Sequence, residues 1–317
     1  MKYQLFAYIT GQAANRVGVL VGAQAYDLDK LAAAAALELP ASSIDALLEQ
    51  WPRANARLQE LAGLVHEVPA QYSAAQLPLG ELQMAPLLDR PGTIYGAGAN
   101  YRDHVEAMAR AFNMKLSLDP RSEGIDPWHF VKAGRATLGA HGQTVDIPAG
   151  VKMLDWEAEL AVVIGTRASR VSVEDALNYV AGYACANDLS ARDRLRRDAV
   201  DASSPFRFDW IGHKSFTGSC PVGPYLTPAQ YVKDPENLDI KLWRNGTLEQ
   251  DSNTRNHMYG VAEQISYLSQ TLELFPGDVI LTGTPAGVGM ESGRFLSSGD
   301  VLKVWIDGMG DLETTIR

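Results

Sequence analysis

The stretch DWEAELAVVIG, Asp155 to Gly165, places three acids at alternate positions and then runs into a continuous apolar block, Ala161 to Ile164. The block is β-prone, so the segment reads as a strand entering a core. Side chains alternate across a strand, which puts Asp155, Glu157 and Glu159 on one face and Trp156, Ala158 and Leu160 on the other. At a rise of about 3.3 Å per residue the two glutamates stand roughly 6.6 Å apart along the backbone, close enough to converge on one cation. Left uncompensated beside a core strand, such acids repel each other and lose hydration at heavy cost. A hard divalent ion resolves the conflict. An edge strand with a solvated acidic face is the alternative, and both readings stand at this point.

The rest of the composition is that of an ordinary globular chain. At 317 residues it can form one large domain, or a large one with a small one. A hydrophobic fraction of 46% and a charged fraction of 21% exclude disorder as the main state. The net charge of -10 argues against nucleic acid or an anionic membrane as the partner, since both require a basic face. Cys185 and Cys220 lack CxxC spacing and read as free thiols of a reducing compartment. The N-terminal segment has neither a long apolar core nor a cleavage site, and no run approaches a membrane span, so a cytoplasmic location is expected.

Outward from the acidic strand, two regions differ in pattern. In the first, Tyr3 to Ile9, Arg16 to Val21 and Gln24 to Leu28 read as short strands, the first two joined by a Gly/Asn-containing turn. Ser42 to Leu61 reads as helix, interrupted at Pro52 into two shorter ones. The Pro-, Leu- and Gly-rich segment Leu77 to Pro91 marks a boundary, giving a small α+β domain over 1–88 and a larger one over 89–317. In the larger region, strand-like runs at 93–96, 129–132, 179–186, 221–226, 238–244, 278–282 and 301–306 outnumber the helix candidates at 173–179 and 259–271. Strands and helices do not alternate, which argues for an α+β, mainly β fold and against a doubly wound sheet or a repeat array.

Several short motifs carry polar chemistry. GAGANY (96–101) lacks the third glycine of a dinucleotide fingerprint and reads as a turn into a helix, bringing His104 of NYRDH to a strand-to-helix junction. NDLSARD (187–193) ends an apolar strand in Asp188, a carboxylate at a sheet edge or, alternatively, a helix N-cap. Lys214 lies in the small-residue stretch GHKSFTGSCPVGPYL. LTGTPAGVG (281–289) is a strand followed by a Gly-rich loop that can present backbone N–H groups and the Thr284 hydroxyl to an anionic oxygen. Zinc-protease, α/β-hydrolase and EF-hand signatures are absent from the sequence.

The order NYRDH, HFVKA, DWEAELAVVIG, ANDLSARD, GHKSFTGSCPVGP and LTGTPAGVG resembles the fumarylacetoacetate hydrolase family over roughly 91–310. It is most similar to the bacterial branch that handles acylpyruvates and related 2-oxo or β-diketo acids. The resemblance implies a mixed β-sandwich roll, a Mg²⁺ or Mn²⁺ site (Ca²⁺ being the other option) and a homodimer. Its metal ligands match Glu157, Glu159 and Asp188, which favours the metal reading over the solvated face and the helix cap. Its general base matches His104 and its active-site lysine Lys214. Its substrate contacts match Arg192, the Gly283–Thr284 pair and Lys132. The activity implied is C–C hydrolysis of a fumarylpyruvate- or acylpyruvate-like acid, in aromatic or sugar-acid catabolism, through an enolate. Decarboxylation, tautomerisation or dehydration of a 2-oxo acid is the alternative, and a non-catalytic metal-binding relative is a third reading.

Two departures stand out. The acid that polarises the family's histidine three residues later is Ala107 here. Glu106 is the nearest acid and the first candidate for that catalytic role. On a regular helix it points away from His104, which leaves Asp103 and Glu123 as further candidates. Three residues after Arg192 the family's substrate-binding glutamine is replaced by Leu195. The stretch from Arg110 to Trp128 is also long for a lid, and both features point to an altered substrate.

Overall fold

The strand that follows the acids, Ala158–Ile164, is buried along its whole length, which is why its sequence is a continuous apolar run instead of an alternating one. The computed structural model describes residues 1–11 and 15–317. Ala158–Ile164 lies inside a large sheet whose central order is Tyr3–Ile9, Cys220–Pro228, Val180–Asn187, Ala158–Ile164, Val279–Leu281, Ile94–Ala97 and His129–Lys132. These neighbours are antiparallel apart from the parallel pair Val279–Leu281 and Ile94–Ala97. A second sheet orders Thr247–Asn253, Asp239–Arg244, Val301–Ile306, Gly310–Ile316 and Gln143–Val145. Leu160, Val162 and Ile164 share a core with Ile240, Leu242, Val304 and Leu312 of that second sheet. The opposite face, through Ala161 and Val163, packs with Leu47, Trp51 and Leu58 of the N-terminal helices. The architecture is α+β and mainly β, as the strand-rich sequence predicts.

The acidic stretch is not one unbroken strand. Leu154–Asp155 pairs with Ser190–Ala191, and the chain leaves the ladder at Trp156 and Glu157 before Ala158–Ile164 begins. In the N-terminal region, Ile44–Leu48 and Trp51–Glu67 are separate helices. Pro52 sits in the first turn of the second, where its missing N–H breaks no helical bond. The turn expected between Tyr3–Ile9 and Arg16–Val21 includes residues 12–14, outside the described residues. Leu5 pairs with Leu226, so the strands of residues 1–88 extend the main sheet directly. The helix expected at 173–179 is instead a turn followed by the 3₁₀ helix Ala176–Tyr179. Ser172 Oγ accepts from the Asp175 N–H at 3.3 Å, a local bond that competes with helix, and Val180 must already enter the sheet. Among the described residues no helix is long and apolar enough to cross a membrane.

Candidate active site

The acids converge because two antiparallel strands end together. Ala158 pairs with Asn187 and Glu159 with Ala186. Just beyond, the Asp188 N–H donates to the Glu157 carbonyl at 2.8 Å, and the Glu157 N–H to Asn187 Oδ1 at 3.0 Å. Glu157, Glu159 and Asp188 are all buried, and one oxygen from each lies within 4.8 Å of the others. Asp188 caps no helix; its two oxygens accept from Lys132 Nζ at 2.5 Å and Lys214 Nζ at 2.6 Å.

Three cations face these acids. Lys214, at the end of the short helix Trp210–Lys214, also donates to Glu157 at 2.6 Å. Arg192 bridges Asp155 at 2.8 Å and Glu157 at 2.5 Å. Burial by itself would raise the Glu157 carboxyl, but Lys214 and Arg192 together hold it well below the carboxylate range. Glu159 behaves in the opposite way. Burial, with Asp188 and Glu157 alongside, pushes its carboxyl well above the ordinary value, against a single 2.6 Å bond from the Gly283 N–H.

The residues fit a metal on two counts. Glu157, Glu159 and Asp188 form an all-oxygen donor set, which suits a hard divalent cation. With Asp155 they bring one more negative charge than Lys132, Arg192 and Lys214 bring positive, and the surplus falls on Glu159. A buried acid without a cationic partner is costly, and a cation at the triad removes that cost.

The Gly-rich loop after Val279–Leu281 holds the protein's own acids with its backbone. The Gly283 N–H donates to Glu159, Gly287 N–H to Glu291 at 2.8 Å, and Gly289 and Met290 N–H to Asp155 at 2.6 and 3.0 Å. Gly283 adopts φ +100°, and a Cβ there would sit 2.9 Å from the Asn100 Cβ, so glycine is required on both counts. The expectation that Gly283 offers its N–H to substrate is therefore corrected, since that donor is engaged by Glu159. The Thr284 hydroxyl accepts from Gln250 Nε2 at 2.8 Å and reaches the cavity described below.

His104 lies on the helix Arg102–Phe112, as the turn at GAGANY predicts, and its acid comes from elsewhere. Nδ1 is 2.7 Å from Glu291 Oε1, on the turn Gly289–Ser292. Glu106 is partly exposed and its basic neighbour is Arg110, 3.9 Å away one helical turn on, because the helix turns it off the His104 face. Asp103 accepts from Ser252 Oγ at 2.5 Å, and Glu123 from Ser117 Oγ at 2.8 Å. Glu291 stands two residues past the end of the quoted LTGTPAGVG motif. An acid just beyond a Gly-rich loop was the available signal.

His104, Glu157, Glu159, Arg192, Lys214 and Thr284 line one cavity of about 230 Å³. Lys132 does not reach it. Its ammonium is fully buried behind Asp188, so its expected contact with substrate is replaced by support of a candidate metal ligand. The opposite wall is aromatic. The Phe130 ring lies 4.8 Å from Lys214 Nζ, stacks on Trp210 at 5.8 Å, and Trp210 meets Trp128 at 4.8 Å. Leu195 and His213 also line the cavity. His213 Nδ1 is 2.9 Å from the Ala191 carbonyl and carries the proton that this contact needs. Burial, then Lys214 and Arg192, lowers the imidazole to about 3, so it is neutral, with Nε2 left as an acceptor. His213 and the aromatic wall were not recognised in the sequence, where aromatics scattered over Trp128, Phe130 and Trp210 carry no periodic signature.

Residues 93–317 match the family domain described as fumarylacetoacetate (FAA) hydrolase C-terminal. The chain is 35% identical to the 2,4-didehydro-3-deoxy-L-rhamnonate hydrolase of Sphingomonas sp. (strain SKA58), over 81% of this chain and 87% of that protein. It is 32% identical to the mitochondrial oxaloacetate tautomerase Fahd2a of Rattus norvegicus, over 82% of this chain and 78% of that protein. Among solved structures, maleylpyruvate hydrolase from Sphingobium sp. SYK-6, in complex with manganese(II) and pyruvate, superposes with a TM-score of 0.70 and 28% identity, covering 99% of this chain and 98% of that one. By domain match, sequence and fold, the chain belongs to the fumarylacetoacetate hydrolase family, whose members include hydrolases, isomerases and a tautomerase of oxo acids.

Proposed function

We propose that the protein is a divalent-metal-dependent hydrolase that cleaves a C–C bond of a β-diketo acid. The observation that supports this most is the His104–Glu291 pair, which shares a cavity with the acidic triad. A Mg²⁺ or Mn²⁺ ion held by Glu157, Glu159 and Asp188 supplies Lewis acidity toward the oxygens of a 2-oxo acid. The Glu291 carboxylate accepts the His104 Nδ1 proton and fixes the tautomer, which leaves Nε2 as the base. His104 removes a proton from water, and the resulting hydroxide adds to the distal carbonyl carbon. The bond to the neighbouring carbon then breaks, giving a carboxylic acid and an enolate that takes up a proton to become the 2-oxo acid.

Lys214 has a defined place in this sequence. Two of its three N–H donors meet Glu157 and Asp188, and the third is available to the oxyanion formed when hydroxide adds. Arg192 and the Thr284 hydroxyl orient the substrate at the acidic end. The same His–Glu pair can also move a proton without any attack by water, which is the tautomerase reading that the rat relative brings to mind. Product analysis separates the two. With Mn²⁺ and an acylpyruvate, hydrolysis releases pyruvate and one equivalent of carboxylic acid. Keto–enol interconversion of oxaloacetate with acylpyruvates untouched refutes the hydrolase.

A further inference from the structure

The cavity has two chemically distinct ends, and only one of them can receive a charge. At the acidic end lie Arg192, Lys214 and His104. At the other end Phe130, Trp210, Trp128 and Leu195 form an uninterrupted apolar wall that begins under Lys214 and runs outward to the half-exposed Trp128. Arg192 and Lys214 are the lysine and arginine side chains that line the cavity, and each bridges two of the buried acids. The remaining nitrogen base near the wall, His213, is committed to the Ala191 carbonyl through Nδ1 and offers an acceptor through Nε2. A carboxylate placed beyond Phe130, against Trp210 and Trp128, meets no further lysine or arginine among the described residues that line the cavity, and ring faces carry negative quadrupole charge. Against the enclosed part of the wall, short of Trp128, it also loses its hydration without replacement.

The geometry points to a substrate with one carboxylate, held at the acidic end, and an uncharged apolar or aromatic substituent lying along the Phe130–Trp210–Trp128 wall. The inference rests on reading the site as one for 2-oxo acids. It narrows the substrate to acylpyruvate-like monoacids and turns away fumarylpyruvate-like diacids. A cavity of about 230 Å³ is below the roughly 300–1,000 Å³ of drug-sized ligand sites, so the enclosed part of the tail is short, a small acyl chain or one ring, before the wall opens at Trp128. Gly98 helps to shape the wall. A Cβ on Gly98 would lie 2.3 Å from two edge carbons of the Trp128 ring, so the indole edge approaches this turn as closely as it does because glycine is there.

The test compares 2-oxohexanoate with 2-oxoadipate, which differ only in a terminal methyl or carboxylate, as ligands of the Mn²⁺-loaded full chain by calorimetry. Pyruvate serves as the tail-less reference. The expected result is tighter binding of 2-oxohexanoate by about tenfold or more, equivalent to about 1.4 kcal/mol. Gly98→Ala should remove most of that preference, and Leu195→Arg should reverse it. Equal or tighter binding of 2-oxoadipate by the unaltered protein overturns the tail inference and leaves the hydrolase proposal intact. Failure of all three acids to bind, pyruvate included, refutes the reading of the site itself, and the tail inference with it.

Discussion

The two ends of the cavity are held in place by different physics. The acidic end is a network in which nearly every oxygen has a partner: Glu157 has two cations, Asp188 two lysines, Asp155 an arginine and three backbone N–H groups. The side chains of the aromatic end meet chiefly through ring contacts, and this end opens to solvent at Trp128. A network of buried charges fails abruptly when one member is lost, because its partner is left uncompensated. A packed wall yields by degrees, in proportion to the surface removed. Position at the acidic end is thus nearly all-or-none, whereas the aromatic end can be tuned.

The largest effects are therefore expected at the acids. Glu157→Gln should abolish detectable Mn²⁺ binding and also lower the stability of the metal-free protein by about 3–5 kcal/mol, as removal of one partner from a buried pair does. Glu159→Gln should abolish Mn²⁺ binding equally, yet leave metal-free stability unchanged or raised, since the amide needs neither a cation nor a proton taken up on folding. Calorimetric metal titration and chemical denaturation read both outcomes; equal destabilisation by the two substitutions would dissolve the distinction between these neighbours. Next in size is Glu291→Gln, expected to reduce kcat about 10²-fold with metal affinity retained, in the range typical of positioned acid–base groups. Glu106→Gln should change kcat little.

Acidity sharpens the comparison further. The Glu159 carboxyl, raised by burial and by Asp188, holds a proton in the metal-free fold that it has released in the unfolded chain above the ordinary carboxylate range. Metal-free protein thus loses stability as pH rises through the window between those two values. A metal competes with the same proton, so Mn²⁺ affinity should fall as pH is lowered, with proton release visible in buffers of different ionisation enthalpy. Smaller than the effects at the acids of the site is Trp128→Ala, expected to raise KM for a tailed substrate by about tenfold at most, or about 1.4 kcal/mol, because this ring is only partly buried. Metal affinity and pyruvate binding should not move.

Much of this arrangement was legible in the chain, and what was not has a common cause. His129–Lys132 and Val301–Ile306 form where the strand pattern places them, and Val261–Thr271 follows its apolar spacing. The acids of DWEAE were conspicuous because acids next to a buried run demand compensation. Lys132 was misassigned because sequence shows that a lysine is present and not which way it faces; burial settles that. Glu291 could not be paired with His104 by spacing, since 187 residues separate them and only the packing of two short helical segments joins them. The Trp128–Trp210 contact is equally a product of the fold. Local pattern reports local structure, and the parts that escaped it are contacts between distant segments.

The pairing of Tyr3–Ile9 with Cys220–Pro228 has a further consequence. Cys220–Pro228 lies between that strand and Val180–Asn187, the strand that leads to Asp188. If residues 1–88 were cut away, Cys220–Pro228 would become an open sheet edge beyond Pro221, where its pairing with Leu138–Gly139 ends. Ala161, Val163, Ala181 and Ala184 would lose the apolar cover shared with Leu47, Trp51 and Leu58. Such an edge invites pairing between molecules. The N-terminal region thus acts as a guard against self-association as well as a covering layer, and a chain trimmed to residues 89–317 should aggregate before it can show whether it binds a metal.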